Sequence, residues 1–267
     1  MFHFYKTFKQ SACIFAAILL FALLPSRVLA KKVRKDYYQL SVYHFVTAEQ
    51  EKRIDEYLST AVLPALHRFG IKNIGAFKPI ANDTATDKLV YIFIPLKGLE
   101  QLVAISKIYT EDKQFINDAQ FLDTAWNSPS FTRRENIVLE AFDLAPAMKL
   151  PQLTGPRENR VYELRSYESP TDKLHLNKVQ MFNKGGEIAL FARLNFNAVF
   201  YSRVIAGSRM PNLMYMTSFE NMADRDAHWK SFSADPEWKK LSGLPEYQHN
   251  VSKNDTRFLR ATTYSDF

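Results

Sequence analysis

Three side chains that could act together on a ligand alternate along the segment YELRSY. Glu163, Arg165 and Tyr167 are spaced two residues apart, so in a strand they share one face. A carboxylate beside a guanidinium can fix a polar group of a ligand, and a tyrosine hydroxyl can donate a hydrogen bond. If the opposite face, with Leu164, meets helices, this row points into the space between sheets. The alternative interpretation is a structural ion pair.

Two adjacent glycines interrupt a helical pattern in the second half of the chain. Gly185 and Gly186 precede Glu187, and each glycine inside a helix costs about 1 kcal/mol relative to alanine. A kink, close helix packing or the approach of a ligand to bare backbone would offset that cost. A phosphate loop is excluded because no Lys-Ser/Thr pair follows. Glu187 is the carboxylate that could act here.

A third group of candidates surrounds the segment GSRMPNLMY. Gly207 and Pro211 predict a turn, where Arg209 and Asn212 could close over a cavity mouth. Arg203, in the strand before the turn, could face the same space, and a solvated hairpin loop is the alternative. The predicted ligand-binding residues are Tyr43, Arg165, Tyr167, Gly185, Gly186, Arg203, Arg209, Asn212 and Tyr215.

Candidates for acid–base catalysis are few. Glu163, Glu187 and His228 are the groups that could serve as a base. No histidines are spaced as in HxH or HExxH, so we expect no zinc site. Cys13 is the single cysteine and lies in the N-terminal segment, which excludes a thiol nucleophile from the remainder, and no GxSxG motif is present.

The first 30 residues resemble an export signal. Lys6 and Lys9 precede thirteen apolar residues at 12–24, and Val28-Leu29-Ala30 resembles a cleavage site. We expect a mature chain of 31–267 that is periplasmic or secreted and has no membrane span; the alternative is an uncleaved anchor. The net charge of +7 is spread thinly, which argues against a nucleic-acid partner. The sequence leaves self-association beyond an intrachain pseudo-dimer open.

The second half of the chain repeats the first at an offset of 124 or 123 positions. The matched pairs are Tyr38 with Tyr162, Leu40 with Leu164, Tyr43 with Tyr167, Leu89 with Leu213, Tyr91 with Tyr215, Tyr109 with Phe232, and Phe115 with Trp238. Such a long period indicates a duplicated domain rather than a solenoid. We predict a first repeat at 31–145, a linker at 146–159 and a second repeat at 160–267. The row that matches Glu163, Arg165 and Tyr167 is the neutral set Gln39, Ser41 and Tyr43.

Each half follows the order strand, helix, strand, strand, helix, strand. The predicted strands are 37–46, 71–80, 88–94, 136–142, 160–168, 195–205, 212–219 and 256–264. The predicted helices are 47–69 with a bend or break at Pro64, 99–108, 112–122, 171–192, 221–233 and 236–242. This order predicts an α+β fold of two tandem ferredoxin-like domains. Their sheets would pack against each other as an intrachain dimeric α+β barrel.

Several segments resemble the NIPSNAP family. They are YELRSY at 162–167, WKSF at 229–232, DPEW at 235–238 and FGIKNIGAF at 69–77. The resemblance implies the same barrel fold and carries no settled catalytic chemistry. The first repeat departs from the pattern at Gln39 and Ser41 and has no DPEW.

The leading functional hypothesis is an exported, cofactor-free protein that binds a small, partly apolar molecule between its two sheets. One alternative is a cofactor-independent monooxygenase or isomerase, and another is a protein-interaction module. Some members of the wider barrel superfamily bind haem through a histidine. His228 beside Trp229 is the candidate for that role, but no cofactor is expected.

Overall fold

Strands and helices alternate along the chain. The computed structural model describes residues 34–119 and 126–267; the predicted signal lies outside them. The strands are β1 (Tyr37–Phe45), β2 (Gly75–Pro79), β3 (Lys88–Leu96), β4 (Arg133–Ala141), β5 (Val161–Glu168), β6 (Phe200–Ala206), β7 (Asn212–Phe219) and β8 (Lys253–Ala261). The α-helices are α1 (Ala48–Tyr57), α2 (Leu63–Arg68), α3 (Leu99–Glu111), α4 (Lys113–Asp118), α5 (Asp172–Asn183), α6 (Glu187–Arg193), α7 (Met222–Ala234) and α8 (Pro236–Ser242).

The eight strands form one closed antiparallel barrel in the order β1-β3-β2-β8-β5-β7-β6-β4. Two seams join the halves of the chain. At one seam Phe77–Pro79 of β2 pairs with Leu259–Ala261 of β8. At the other, β4 pairs with β6 across a bulge between Val138 and Leu139. The fold is therefore α+β, as predicted, and the halves meet edge to edge through backbone hydrogen bonds as well as face to face across the interior.

Local sequence signals account for the helix starts. Thr47 and Gln50 form a capping box at the start of α1, because each side chain bonds the backbone of the other. Asp235 caps α8 by accepting from the N–H groups of Glu237 and Trp238, with Pro236 in the first turn. The predicted disturbance at Pro64 takes the form of a π-helical turn at Leu58–Val62 directly before α2.

Some predicted boundaries were wrong. The helix predicted at 171–192 is two helices, because Gly186 adopts a φ of 95° and ends the ladder between α5 and α6. The strand predicted at 195–205 begins only at Phe200, since Asn195 and Asn197 also have positive φ angles. The predicted strands 71–80, 136–142 and 256–264 are observed at 75–79, 133–141 and 253–261. Residues 120–122 of the helix predicted at 112–122 lie outside the described part.

Helices cover the outside of β1, β3, β5 and β7, so both faces of these strands are largely buried. The inward face of β1 carries Tyr38, Leu40 and Val42, which pack with residues of β5 and β7. The outward face carries Tyr43, which packs with Tyr57 and other helix residues. The space inside the barrel and the helix–sheet layer are therefore separate environments, and strand parity decides which side chain enters each.

The offset of 124 predicted for the third strand of each half was wrong by one residue. Tyr43 pairs with Val90 on β3, whereas Tyr167 pairs with Leu213 on β7. Val90 therefore corresponds to Leu213, an offset of 123. A slip of one residue exchanges the faces of a strand. Accordingly, Tyr91 faces the barrel interior and Tyr215 faces the helices.

Candidate functional site at the barrel mouth

The barrel interior changes from aromatic to polar along its axis. The inward row of β1 runs from Tyr38 through Leu40 and Val42 to His44, and all four are buried. Because neighbouring strands are antiparallel, the carboxyl end of β1 lies beside the amino ends of β3 and β4. Polar residues on inward rows therefore collect at one end of the barrel.

Aromatic side chains fill the opposite end. Phe93 stacks on Phe200 with ring centroids 4.8 Å apart, and Tyr38 lies 5.1 Å from Phe93 and 5.3 Å from Phe200. Phe267 closes the cluster at 5.4 Å from Phe77. The predicted space between the sheets is consequently packed solid at this end, which restricts a ligand to the other.

A cavity of about 120 Å³ opens at the polar end. We call it the barrel mouth. Its lining residues are Leu40, Val42, His44, Asp87, Leu89, Tyr91, Arg133, Glu135, Ile137, Leu164, Ser166, Ser208, Arg209, Asn212, Met214, Asp255 and Arg257. The deep part of the lining is aliphatic and the rim carries charges, so the barrel mouth suits a molecule that is apolar at one end and polar at the other.

His44 is the centre of one side of the rim. Its Nδ1 lies 2.8 Å from an Asp87 carboxylate oxygen and its Nε2 lies 3.5 Å from Glu135. The Arg133 guanidinium lies 3.4–3.5 Å from both ring nitrogens, so it rests against the ring. A histidine held by a carboxylate through one nitrogen has a fixed orientation, which is the arrangement that general acid–base groups need.

Arginines form the other side of the rim. Arg209 donates to Asp255 at 3.2 Å, and Arg257 donates to the same carboxylate at 3.1 Å. Deeper in the wall, Ser166 and Asn212 hydrogen-bond to each other at 2.8 Å. Across the whole rim, three guanidiniums face three carboxylates, so the barrel mouth has polar groups of both kinds without a net charge.

Tyr91 places a phenol in the wall of the cavity. Burial raises the pKa of Tyr91 to about 12, while the charge of Arg257 acts in the opposite direction. The hydroxyl therefore stays protonated at neutral pH and is available as a donor.

The predicted row of Glu163, Arg165 and Tyr167 does share one face of β5, but the prediction that it faces the space between the sheets was wrong. Leu164 and Tyr162 point into the barrel, and the row lies beneath α7. Glu163 is fully buried and accepts hydrogen bonds from Arg165 at 2.6 Å, Arg225 at 2.8 Å and the Trp229 indole at 2.7 Å. The alternative interpretation, a structural ion pair, describes this geometry.

The remainder of that row continues the network. Arg165 lies flat over the Trp229 ring, 3.8 Å from its centroid, and donates to Tyr167 at 3.0 Å. The Tyr167 and Tyr215 hydroxyls are 2.9 Å apart. Each polar atom is thus satisfied by a neighbour in the helix–sheet layer.

Much of this network lies in a segment that is similar to known proteins. Residues 162–266 match the NIPSNAP family model. The predicted resemblance is therefore confirmed for this NIPSNAP segment, which holds β5 to β8, α5 to α8 and half of the barrel mouth. No curated protein matches the chain by sequence.

Two of the similar solved structures share the fold of the described chain. A proposed monooxygenase from Lactobacillus acidophilus is 12% identical, with a TM-score of 0.53, and the match covers 85% of this chain and 94% of that one. A proposed monooxygenase from Fusobacterium nucleatum is 7% identical, also with a TM-score of 0.53, covering 85% and 92%. A NIPSNAP-like domain protein from Burkholderia xenovorans is 18% identical over 40% of this chain and 90% of its own, with a TM-score of 0.37.

Three more predicted ligand residues face the helices or the outside of the barrel. Tyr43 and Tyr215 belong to the two helix–sheet cores. Arg203 points outward on β6 and pairs with Glu140 at 2.7 Å, so the prediction that it faces the same space as Arg209 was wrong. Arg209 and Asn212, from the NIPSNAP segment, do line the barrel mouth.

The glycine pair and Glu187 lie at the junction of α5 and α6, away from the barrel mouth. A Cβ on Gly185 would come within 2.5 Å of the Met181 carbonyl oxygen, so close packing accounts for that glycine. Glu187 is buried against Lys178 at 2.9 Å. Burial raises the pKa of the Glu187 carboxyl, and Lys178 acts in the opposite direction.

His228 also lies away from the cavity. Its Nδ1 is 2.8 Å from the Asp224 carbonyl oxygen, and its ring packs 5.6 Å from Phe196 and 5.5 Å from Phe219. None of the three predicted bases therefore lines the barrel mouth. Within residues 34–119 and 126–267, no cluster of three metal-ligating side chains is present and no helix is long and apolar enough to cross a membrane.

Sequence reasoning missed His44, Arg133 and Arg257. His44 ends the inward row of β1 after aliphatic residues, whereas Arg133 and Arg257 precede the aliphatic residues of the inward rows of β4 and β8. That signal is visible along β1, where Leu40 and Val42 precede His44, but it identifies a site only when the strand order brings these ends together.

Proposed function

We propose that this is an exported protein that binds a small, partly apolar molecule in the barrel mouth. One observation carries the proposal: a cavity with an aliphatic floor opens at the single polar end of an otherwise packed barrel. A buried cavity of this kind lowers packing density at a cost to stability. Ligand binding is a reason for a protein to keep it.

The size and charge of the barrel mouth define the ligand class. A volume of about 120 Å³ is near that of an engineered apolar cavity of about 150 Å³ that binds benzene. The rim carries equal numbers of positive and negative groups, so a ligand with a single charge would be repelled by one of the two sets. The rim therefore favours a ligand whose polar group is uncharged. We infer a molecule with one ring and a hydroxyl, amide or carbonyl group.

We infer further that the halves are tandem ferredoxin-like domains and that the barrel is an intrachain version of a dimer. Around the barrel, each half contributes its strands in the same order: its fourth strand, then its first, its third and its second. Thr47 and Thr171, which cap α1 and α5, are 124 residues apart. The barrel mouth draws residues from both halves, so neither half alone would form it.

Native mass spectrometry of the protein purified from its producing cell, with thermal-shift titrations of phenol, benzyl alcohol and benzamide, tests the binding proposal. We expect a retained molecule or a saturable stabilisation by at least one of these compounds. Val42→Phe should fill the floor and abolish the effect, whereas His67→Gln, outside the barrel mouth, should not change it. Equal binding by Val42→Phe, or no binding by the wild type, would refute the proposal.

A second candidate is a cofactor-independent monooxygenase or isomerase, supported by the fixed His44–Asp87 pair beside the cavity. The similar solved structures named as proposed monooxygenases support it as well. In this mechanism His44 would remove or return a proton on the bound molecule, with Asp87 holding the ring. His44→Gln should abolish turnover while ligand-induced stabilisation remains, and an unchanged turnover would exclude His44 as the base.

Export is tested by the mass of the protein recovered from the producing cell. Cleavage after Ala30 predicts a chain that begins at Lys31 in the periplasm or medium. A full-length chain found with the membrane fraction would support the uncleaved anchor instead.

A further inference from the structure

A second, larger cavity lies outside the barrel, where the linker crosses the NIPSNAP segment. We call it the linker groove; residues 144–152 form one wall, and residues 188–201 form the other. Its volume is about 920 Å³, which is in the range of sites that hold whole cofactors or drug-sized ligands. It shares no lining residue with the barrel mouth.

The linker groove has a fixed wall on each side. The linker is held by the N–H of Lys149, which donates to Val199 at 2.9 Å, and by the N–H of Leu144, which donates to the Asn183 side chain at 3.0 Å. Opposite it, α6 and the start of β6 supply Phe191 and Phe200, which are almost fully buried and form the base of that wall. The Lys149–Val199 hydrogen bond joins the two walls and fixes their spacing at that point.

The lining is apolar over most of its length. Met148, Leu150, Ile188 and Phe191 face it, and Leu144 and Leu150 leave 63% and 48% of their surface exposed. Such exposure at a concave site is unfavourable in water. An elongated apolar molecule lying along the groove would remove that surface from solvent.

One charged side chain lies in the linker wall of the groove. Lys149 is the single charged side chain in the lining, and among the described residues it has no carboxylate within ion-pair distance. Neighbouring polar groups come from Gln152 and Asn195, which are neutral. A ligand that complements this lining has an apolar chain and one negative charge.

We propose that the linker groove binds a free amphiphile made of an alkyl or acyl chain with a carboxylate head. The chain lies against Met148 and Ile188, and the head meets Lys149. This site is independent of the proposed function of the barrel mouth, and either can fail without the other.

Calorimetric titration with dodecanoate, dodecanol and dodecylamine, each below its micellar concentration, tests this inference. We expect saturable binding of dodecanoate and weaker binding of dodecylamine. Lys149→Glu should weaken dodecanoate at least tenfold and change dodecanol less than twofold. Lys230→Glu, on the exposed face of α7, is the matched control and should change neither.

A second variant tests the location. Ala147→Trp should obstruct the groove and weaken both dodecanoate and dodecanol about tenfold, while Ala227→Trp, exposed on α7, should not. Cross-linking with a diazirine-labelled dodecanoate avoids any question of folding, and the label should fall within 144–152 or 188–201. Equal binding of dodecylamine and dodecanoate, labelling elsewhere, or no saturable binding would overturn the proposal.

Discussion

At matching positions in their helix–sheet layers, the first half has neutral polar side chains and the second half has charged ones. On β1, Gln39 and Ser41 share neutral hydrogen bonds with Asn136, the shortest of them 2.7 Å from Ser41. On β5, Glu163 and Arg165 form an ion pair that Arg225 completes. Gln39, Ser41 and Glu163 are buried, and in both sets the polar atoms named here have partners.

The helices repeat this contrast. Lys178 and Glu187 lie seven and sixteen residues after the capping Thr171 and form a buried ion pair. At the same distances from Thr47, the first half has Ile54 and Leu63, both buried in its apolar core. One fold therefore accepts either an apolar pair or an ion pair at these positions.

Burial of charge alone does not identify a ligand site. Taking charges out of water is costly unless each is paired and hydrogen-bonded, and the charges of the second half occur in such sets. The barrel mouth differs because its paired charges border an open cavity. A functional assignment should therefore depend on accessible volume beside polar groups rather than on their burial.

Removal of Glu163 should give the largest effect on stability. Glu163→Gln leaves the largely buried Arg165 without a carboxylate, while Arg225 keeps Asp226. Breaking a buried pair in this way costs about 3–5 kcal/mol of the free energy of unfolding. Urea denaturation monitored by tryptophan fluorescence measures the change.

The matching substitution in the first half serves as the control. Gln39→Ala removes neutral hydrogen bonds only and should cost about 1–2 kcal/mol. Equal losses of unfolding free energy in Gln39→Ala and Glu163→Gln would show that the charges of the second half do not set the difference between the halves.

The Lys178–Glu187 pair should give the next largest effect, and one that depends on pH. In Lys178→Met the opposing charge is lost, so the pKa of Glu187 rises further above its ordinary value. A carboxyl with a raised pKa in the folded state contributes stability that is full below its unfolded pKa, near 4.5, and is lost as the pH rises. The free energy of unfolding should therefore fall between pH 4.5 and pH 7 by up to about 3 kcal/mol.

The double variant that copies the first half isolates this cause. Lys178→Ile with Glu187→Leu reproduces Ile54 and Leu63 and should remove the pH dependence. A double variant as unstable as Lys178→Met would mean that packing, rather than charge, sets the cost. Urea denaturation at both pH values decides between them.

The sequence was sufficient for the order of elements and for the sharing of one face by Glu163, Arg165 and Tyr167. It was insufficient for the choice of face. Both faces of β5 are buried, one by the barrel interior and one by α7, so a polar row does not reveal which side it occupies. Arg225 and Trp229 are spaced to lie on one face of a helix and are suitable partners for Glu163, which is the signal that could have corrected the prediction.

The barrel mouth required information that no single strand contains. His44 lies next to the end of β1, Glu135 lies near the start of β4, and Asp255 lies near the start of β8. These residues are far apart in the sequence and meet only because the barrel closes in one strand order. The sequence also did not reveal that Tyr91 and Tyr215 differ in register by one residue. Both strands are apolar on both faces, so a register shift leaves the pattern unchanged.

Copying the neutral row of the first half into the second half should lower the free energy of unfolding by less than Glu163→Gln does. Thr256 lies opposite Arg165 as Asn136 lies opposite Ser41. A variant with Glu163→Gln, Arg165→Ser, Arg225→Leu and Thr256→Asn should lie within about 2 kcal/mol of the wild type, since replacement of a whole ion network is often near neutral. Urea denaturation beside Glu163→Gln is the measurement, and a loss as large as that of Glu163→Gln alone would contradict the prediction.

The smallest effect is expected at His175, four residues after Thr171, where the first half has Glu51 paired with Lys78. Burial lowers the pKa of His175, Arg203 lowers it further, and Asp172 acts in the opposite direction. A histidine with a lowered folded pKa contributes stability that is present above pH 6.5 and is lost as the pH falls toward the folded pKa. Thermal denaturation between pH 7 and pH 5 should show wild-type stability falling by a few tenths to about 1 kcal/mol more than that of His175→Gln. His249→Gln, an exposed control, should follow the wild type; parallel profiles for all three proteins would mean that His175 is not titrating against the fold.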